Sequence, residues 1–313
     1  MVVEKNVRIT ERFFDNHYIR NQPMEKGTNG HLKNLVRDKS YPMTDPADRP
    51  VRVLEETPAC KIADRNGCDL IDIYTAALEL GIWPYRYLRN RDILSESEQL
   101  QLAKSSAAVI GSGGLGGTVI LLLARMGIGS LTIVDGDVFD ETNLNRQALS
   151  EISNLGSPKA EEAGKKVRDI NPAVKVTIYR TVIEASNIET ILSGIQVVVD
   201  ALDNIPDRLM LGKAAQMLNL PLVHGALAGF DGQVMTVFPE DQGLERIYGN
   251  AEIRKGAPDR PEAVLGVPAL TPSIVATLQA MEVIKILLNR GQTLRNRMLH
   301  IDLEGGRFDS FKF

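Results

Sequence analysis

The chain has 313 residues, of which 43% are hydrophobic and 24% are charged, and its formal net charge is −4. This length is enough for one large or two smaller domains with a substantial core. The weakly acidic charge gives no electrostatic attraction to nucleic acid or to an anionic membrane. Neither a membrane-spanning apolar run nor the basic-then-apolar layout of a signal peptide is evident. We therefore expect a cytoplasmic protein without nucleic-acid or membrane partners.

The first part of the chain looks different from the rest. Residues 1–50 are polar without a sustained period and predict an extended arm or irregular structure. Val51 to Leu54 predicts a short strand, and Asp69 is a typical N-cap for a following helix. The apolar face of that helix would consist of Leu70, Ile73, Ala77 and Leu80. We predict an N-terminal arm and small helical appendage over residues 1–82, ahead of a main domain over residues 83–313.

Both cysteines, Cys60 and Cys68, lie in this first part. Two thiols cannot supply a four-ligand zinc site, and their spacing is not that of a C-x-x-C knuckle. We interpret them as free, buried or half-buried thiols of a reducing compartment.

A glycine turn organises the main domain. The apolar run before it predicts a buried strand, and Leu115 to Met126 predicts a helix. Gly111, Gly113 and Gly116 between them fit the spacing G-x-G-x-x-G, which allows a tight turn and close approach of a phosphate. The next predicted strand ends in Asp135, where a ribose hydroxyl would bind. The pattern predicts a nucleotide site and leaves NAD, FAD and ATP open.

Further strands and helices alternate after this unit and predict a doubly wound, Rossmann-like, mostly parallel α/β sheet. Antiparallel strands are expected to complete it. The predicted later elements are a strand at 196–203, a helix at 205–219, strands at 221–226 and 232–238, a long helix at 273–289 capped by Thr271-Pro272, and strands at 298–303 and 307–311. Residues 239–268, the crossover loop, are too long and polar for a plain connection and are expected to be functional or mobile.

Charged side chains at the predicted strand ends favour ATP over a dinucleotide. Arg146 and Lys159 can neutralise a triphosphate, and Asp203 can bind Mg²⁺. An NAD-dependent oxidoreductase would leave all three without a role. His224, at the end of a predicted strand, is open to two interpretations, contact with substrate or packing, and we prefer packing.

Six motifs carry a resemblance to one family, and they run in order from about Tyr85 to the C-terminus. They are Gly111-Ser-Gly-Gly-Leu-Gly, Asp135-Gly-Asp, Asn143-Leu-Asn-Arg-Gln, Gly156-Ser-Pro-Lys, Ala201-Leu-Asp-Asn and Leu278-Gln-Ala-Met-Glu-Val-Ile-Lys. In these motifs the chain resembles the MoeB/ThiF/HesA family, the bacterial relatives of the ubiquitin-activating enzymes.

The resemblance implies ATP- and Mg²⁺-dependent adenylation of the C-terminal Gly-Gly carboxylate of a small ubiquitin-like sulfur-carrier protein of the MoaD or ThiS kind, in molybdopterin or thiamine biosynthesis. Asp203 would bind Mg²⁺, and Asp135 the ribose. The implied nucleotide-binding residues are Gly111, Gly113, Gly114, Gly116, Asp135, Asn143, Arg146 and Lys159. The resemblance also implies a homodimer in which Arg89, from Arg86-Tyr-Leu-Arg89, enters the partner's site. Arg89, Arg146, Lys159 and Asp203 would be the catalytic residues.

The chain departs from the family pattern because it has no cysteine after Cys68. The structural zinc site of many relatives cannot form, and the crossover loop has no cysteine for a thioester. The expected product is a free acyl-adenylate. Two alternatives remain: adenylation of a different acceptor, such as a peptide C-terminus or a carboxylate on a small molecule or tRNA, and a nucleotide-binding scaffold without catalysis.

Overall fold

The computed structural model describes residues 26–249 and 261–312, which form a small three-stranded sheet and a large eight-stranded sheet with helices around both. The helices are α1 (Lys26–Lys39), α2 (Glu56–Asn66), α3 (Leu70–Leu78), α4 (Glu96–Ala103), α5 (Gly114–Met126), α6 (Lys159–Ile170), α7 (Ile188–Ile191), α8 (Ile205–Met217), α9 (Glu245–Tyr248), α10 (Pro261–Leu265) and α11 (Leu270–Leu288). The strands are β1 (Tyr41–Thr44), β2 (Pro50–Leu54), β3 (Trp83–Pro84), β4 (Ser106–Ile110), β5 (Ser130–Val134), β6 (Lys175–Tyr179), β7 (Val197–Asp200), β8 (Leu222–Ala228), β9 (Asp231–Val237), β10 (Arg297–Asp302) and β11 (Arg307–Lys312).

The large sheet has the order β11-β10-β9-β8-β7-β4-β5-β6. Strands β8, β7, β4, β5 and β6 are parallel, whereas β9, β10 and β11 pair antiparallel. Alternate residues of each parallel strand enter two separate cores, so that Val109 packs with α5, α6 and α11, and Ala108 packs with α7 and α8. Apolar residues on both faces are what a buried parallel sheet requires. The predicted doubly wound fold with antiparallel closing strands is therefore confirmed.

Strand β7 ends at Asp200, whereas the sequence predicted a strand over residues 196–203 with Asp203 just past its carboxyl end. The Asp200 carboxylate explains the early end, because its Oδ1 accepts the N–H of Leu202 at 3.0 Å and turns the chain. Asp203 therefore lies on the loop beyond the sheet.

Helices α1–α3 and strands β1–β3 form the N-terminal subdomain, residues 26–84. The prediction of irregular structure up to residue 50 is wrong within the described residues, because α1 is helical and its Leu32 and Val36 are buried. These residues are four apart and therefore share one helix face. The glycines and asparagines around them have low helix propensity and hid this helical pattern in the sequence. The predicted arm at residues 1–25 lies outside the described residues.

The core of this subdomain continues into the main domain. Trp83 is buried in it, and Tyr87, Leu88 and Ala173 belong to the same apolar cluster. Cys60 and Cys68 are free, half-buried thiols at its edge, as expected.

Helix α11 begins at Leu270, so the prediction that Thr271-Pro272 caps it is wrong. Both residues lie inside the first turn, where a proline is tolerated because the first N–H groups of a helix have no intrahelical partner. By length and composition α11 alone, among the described helices, is apolar enough to cross a membrane. It packs against α5 and β8, and 56% of its apolar window is buried within the fold, as in a core helix.

The crossover loop contains two short helices, α9 and α10. Its residues 250–260 lie outside the described residues.

Candidate nucleotide site

The glycine turn joins the end of β4 to the start of α5. Strand β4 lies between β5 and β7, so the chain crosses to one side of β4 to form β5 and later to the other side to form β7. Gly111 has a φ of 98°, and a Cβ there would lie 2.6 Å from the carbonyl oxygen of Ala201. A Cβ on Gly116 would overlap the carbonyl oxygen of Gly111. Two of the predicted glycines are therefore required by the fold. In an open α/β sheet this switch point is where ligands bind.

Gly113 and Gly114 have a different reason to be glycine. Beyond the adjacent chain, the nearest described atom to a Cβ on Gly113 would be Gln147 Nε2 at 3.6 Å, and the nearest to a Cβ on Gly114 would be Pro272 Cβ at 3.4 Å. Gly113 is the N-cap of α5, and Gly114 begins the helix. The N–H groups of the first turn of a helix point outward without intrahelical partners and attract anions. This space fits a phosphate group close to the backbone.

Two buried polar atoms beside the turn have no hydrogen-bond partner, Ser112 Oγ and Gln147 Oε1. Buried polar atoms are normally satisfied in folded proteins. The Gln147 amide also lies nearest to Gly113. Neither residue was among the predicted site residues, although both belong to the motifs quoted above. Their orphaned atoms favour a polar ligand at this turn and fit ATP.

Asp135 follows β5 and faces the turn. Its Oδ2 accepts the Ser112 N–H at 2.6 Å, and its Oδ1 accepts the Asp137 N–H at 2.8 Å. Burial raises the pKa of Asp135, although these two N–H groups favour the charged form. The carboxylate is thus fixed beside the glycine turn, where a ribose hydroxyl would meet it.

Lys159 is the first residue of α6 and is nearly buried. Its Nζ lies 3.1 Å from Oδ2 of Asp137, an exposed carboxylate. Asp137 was missed as a site residue because only the fold shows that it pairs with Lys159, 22 residues along the chain. The charge of Lys159 also acts on the neighbouring Asp135 and favours its ionised form.

Arg146 lies over the start of α5, since its Cγ would be 3.9 Å from a Cβ on Gly114. Its Nη1 donates to the carbonyl oxygen of Thr142 and to Asn145 Oδ1, both at 2.9 Å, and it forms no ion pair among the described residues. The positive charge is therefore available to a phosphate. Asn143 is buried nearby and closes its own loop by accepting the Asp140 N–H at 3.1 Å.

Asp203 is exposed on the loop after β7, two residues beyond the Ala201 that packs on Gly111. Its Oδ1 accepts a hydrogen bond from Asn204 Nδ2 at 3.2 Å. No three His, Cys, Asp or Glu residues converge into a metal-binding group within residues 26–249 and 261–312. A single carboxylate is nevertheless compatible with Mg²⁺, which proteins commonly bind through one or two carboxylates together with substrate phosphates.

Arg89 is the one predicted catalytic residue that the fold places elsewhere. It is exposed on a short 3₁₀ helix, Tyr85–Asn90. The neighbouring Tyr87 ring packs on Gly127 at the C-terminal end of α5, whereas the glycine turn is at its N-terminal end. A helix of 13 residues is about 20 Å long. Within one chain, Arg89 therefore lies at the opposite edge of the sheet from the site.

His224 is fully buried, and its position agrees with the preferred interpretation as a packed side chain. Its Nδ1 lies 2.7 Å from Asp200 Oδ2, and its Nε2 lies 3.0 Å from the hydroxyl of Tyr248. The buried guanidinium of Arg208 donates to the same hydroxyl at 3.3 Å. Burial lowers the pKa of His224 despite the adjacent Asp200 carboxylate. This network joins β7 and β8 to the α9 part of the crossover loop.

The arrangement can bind a polyphosphate and stabilise charge that develops on it. Backbone N–H groups, Arg146 and Lys159 supply positive potential at one sheet edge, and Asp135 supplies an acceptor for a sugar hydroxyl.

Comparison with known proteins finds relatives whose names describe activating enzymes and adenylyltransferases. Over 230 residues the chain is 36% identical to the SAMP-activating enzyme E1 of Haloferax volcanii, covering 73% of this chain and 84% of that protein. It is 37% identical to the sulfur carrier protein adenylyltransferase of Thermus thermophilus, over 65% of this chain and 77% of that protein. It is also 37% identical to the adenylyltransferase and sulfurtransferase MOCS3 of Arabidopsis thaliana, but there it spans only 56% of the relative's length.

Among solved structures, E. coli MccB with ATP aligns over 93% of this chain and 89% of its own, with a TM-score of 0.63 and 18% identity. PaaA aligns over 73% of this chain and 70% of its own, with a TM-score of 0.59 and 20% identity. At these identities the likeness concerns the fold, and with MccB it extends over most of the chain. The family model described as ThiF family matches residues 87–313, and this protein is therefore a member of the MoeB/ThiF family.

Proposed function

We propose that this protein catalyses ATP- and Mg²⁺-dependent adenylation of the C-terminal Gly-Gly carboxylate of a small ubiquitin-like sulfur carrier, of the MoaD or ThiS kind. The observation that carries the proposal is a glycine turn that has room for a phosphate and two cations around it. Arg146 lies over the start of α5, and Lys159 acts on Asp135, whose carboxylate accepts the N–H of Ser112 in the turn. The names of the Haloferax, Thermus and Arabidopsis relatives support activation of a carrier by adenylation.

The chemistry requires little beyond positioning. A carboxylate oxygen of the carrier attacks the α-phosphorus of ATP, the bond from that phosphorus to the bridging oxygen breaks, and pyrophosphate leaves. The carboxylate is already ionised at neutral pH, so no general base is needed. Arg146, Lys159 and the N–H groups of α5 would neutralise the charge on the phosphates, while Asp203 would bind the Mg²⁺ that accompanies them.

The product would be a free acyl-adenylate. Cys60 and Cys68 are in the N-terminal subdomain, and the sequence has no cysteine after them. A thioester step on the crossover loop therefore lacks a nucleophile in this chain, and sulfur would come from a separate donor.

The proposed enzyme is a homodimer in which Arg89 acts in the partner's site. The support is geometric: Arg89 is exposed, and it lies about one length of α5 away from the glycine turn of its own chain. A second subunit is the simplest way to bring this guanidinium to a nucleotide.

The test is ATP–pyrophosphate exchange with purified protein and Mg²⁺, with and without candidate carriers. A carrier ending in Gly-Gly should support exchange, and the same carrier without its last glycine should not. Exchange with an unrelated peptide or other carboxylate would instead favour a different acceptor. ATP binding without any exchange would favour a non-catalytic scaffold.

A further inference from the structure

The segment 85–92 follows the N-terminal subdomain directly and carries three arginines in different environments. Arg86 and Arg91 form ion pairs with acids of the subdomain. Arg89 lies between them, is exposed, and forms no ion pair within the described ranges 26–249 and 261–312. The subdomain therefore anchors the segment on both sides of the one arginine that it leaves available.

The first anchor is Arg86. Its Nη2 pairs with Glu56 at the start of α2, and its Nη1 donates to the carbonyl oxygen of Ile170 at 2.8 Å. The adjacent Tyr87 is buried, and its hydroxyl accepts a hydrogen bond from Asn171 Nδ2 at 2.7 Å. These contacts fix the first turn of the 3₁₀ helix to the subdomain and to the end of α6.

The second anchor is Asp45, in the turn between β1 and β2. Its side chain is only 2% exposed, and its Oδ2 lies 2.6 Å from Arg91 Nη1. Arg49 donates to the same oxygen through Nε at 3.0 Å and Nη2 at 2.8 Å. Arg49 Nη2 also pairs with Asp92 at 2.5 Å. One buried carboxylate thus connects the hairpin to the residues that follow Arg89.

We propose that the N-terminal subdomain positions Arg89 for the partner subunit, with Asp45 and Glu56 as the positioning residues. This inference rests on the proposed function, in which Arg89 acts across the dimer. A six-residue 3₁₀ helix has weak internal hydrogen bonding and needs external contacts to define its direction. A displacement of about 1 Å in a catalytic group can cost about 100-fold in rate, which gives the two anchors their importance.

The first experiment is a double-mutant cycle on the adenylation rate. Asp45→Asn keeps the acceptor for the backbone N–H groups of Ala47 and Arg49 but removes the charge that holds Arg91. It should lower kcat about tenfold or more, and adding Asp45→Asn to Arg89→Ala should cause no further loss. Losses that multiply would overturn the proposal, because Asp45 would then act independently of Arg89.

The matched control is Glu79→Gln. Glu79 also belongs to the N-terminal subdomain and pairs with Lys33 and Lys104, both at 2.9 Å. Within the described residues, no side-chain hydrogen bond or ion pair joins it to the segment 85–92. Its kcat should stay near wild type. If Asp45→Asn folds poorly, Glu56→Gln gives a second test, because the Glu56 side chain is 44% exposed.

Subunit mixing separates positioning for a partner from local damage. A Lys159→Ala subunit has a defective site but an intact Arg89 and subdomain. Mixed with it, Asp45→Asn should regain activity, since its own intact site receives Arg89 from the Lys159→Ala subunit. If mixing rescues Arg89→Ala but not Asp45→Asn, the positioning role of Asp45 would be overturned. Absence of rescue for Arg89→Ala would instead overturn the trans arginine of the proposed function.

Discussion

Lys159 Nζ lies 3.1 Å from Asp137 Oδ2, and the two side chains differ sharply in environment: 9% of Lys159 is exposed, against 72% of Asp137. The exposed carboxylate balances a nearly buried cation next to the glycine turn. An arriving phosphate can replace Asp137 as the partner of Lys159 without leaving either charge buried and unpaired.

This pairing predicts opposite effects for its two members. Lys159→Ala should lower the adenylation rate by about 100-fold or more, because a charge-stabilising donor is lost. Asp137→Asn should leave the affinity for ATP unchanged or up to about fivefold tighter, since the exposed Asp137 carboxylate contributes little to binding and competes with phosphate for Lys159. Titration calorimetry with ATP measures the second effect. A large loss of affinity in Asp137→Asn would show that Asp137 is itself an ATP ligand.

Two substitutions in the glycine turn should separate an effect on protein stability from an effect on ATP binding. Gly116→Ala places a Cβ against the Gly111 carbonyl oxygen and should destabilise the protein by about 1–3 kcal/mol. Gly114→Ala finds its nearest neighbour, Pro272, at 3.4 Å, so thermal stability should be retained while ATP affinity falls about tenfold through crowding of the phosphate. Thermal unfolding with and without ATP compares the two variants. Normal ATP binding by a stable Gly114→Ala protein would place the phosphates elsewhere.

Asp203 is predicted to affect metal use without affecting the fold. Because it is exposed and bonds only to its neighbour Asn204 among the described residues, Asp203→Asn should not change the melting temperature. Turnover should fall about tenfold or more and require a higher Mg²⁺ concentration. Glu189→Gln, at an exposed position on α7, is the control. An unchanged Mg²⁺ dependence in Asp203→Asn would remove Asp203 from the site.

The buried pair of His224 and Asp200 predicts a pH dependence of stability. Burial lowers the pKa of His224 in the folded state, so the unfolded chain binds a proton first as the pH falls below about 6.5. His224 should therefore reduce the free energy of unfolding between pH 7 and 5, by at most about 1.4 kcal/mol per pH unit. Arg208 and His224 keep the pKa of Asp200 low against the effect of burial, so Asp200 stays ionised in this range.

Denaturant unfolding of wild type and His224→Asn at several pH values measures this contribution. The variant should be less stable at pH 7, because Asp200 loses a buried partner, and its stability should vary less between pH 7 and 5. Equal slopes for the two proteins would mean that His224 does not change its protonation on unfolding.

The sequence predicted the centre of the main sheet well because strands β4, β5 and β7 are almost entirely buried. Strands β4 and β5 are followed by Gly111 and Asp135, and β7 ends at Asp200. Periodicity could not show that β7 stops at Asp200, since the stop depends on the Asp200 side chain accepting the N–H of Leu202 two residues later. It also missed α1, whose buried Leu32 and Val36 become recognisable only against the rest of the N-terminal subdomain.

At the candidate site, the sequence motifs predicted which residues lie near the glycine turn but not the contacts that these residues make. The residues near the glycine turn could be placed together because the carboxyl ends of parallel strands share one edge. The partner of Lys159 and the different roles of Arg86 and Arg89 depend on contacts between distant parts of the chain, such as Arg86 with Glu56 and Ile170. Pattern and spacing carry no information about such contacts.

The most direct test of the account is intact-mass spectrometry of a Gly-Gly carrier after incubation with the protein, ATP and Mg²⁺. The account predicts that the carrier gains one adenylyl group at its C-terminal glycine, and that Lys159→Ala protein nearly abolishes this product. A carrier that stays unmodified, under conditions in which the protein binds ATP and another carboxylate becomes adenylated, would contradict the central claim.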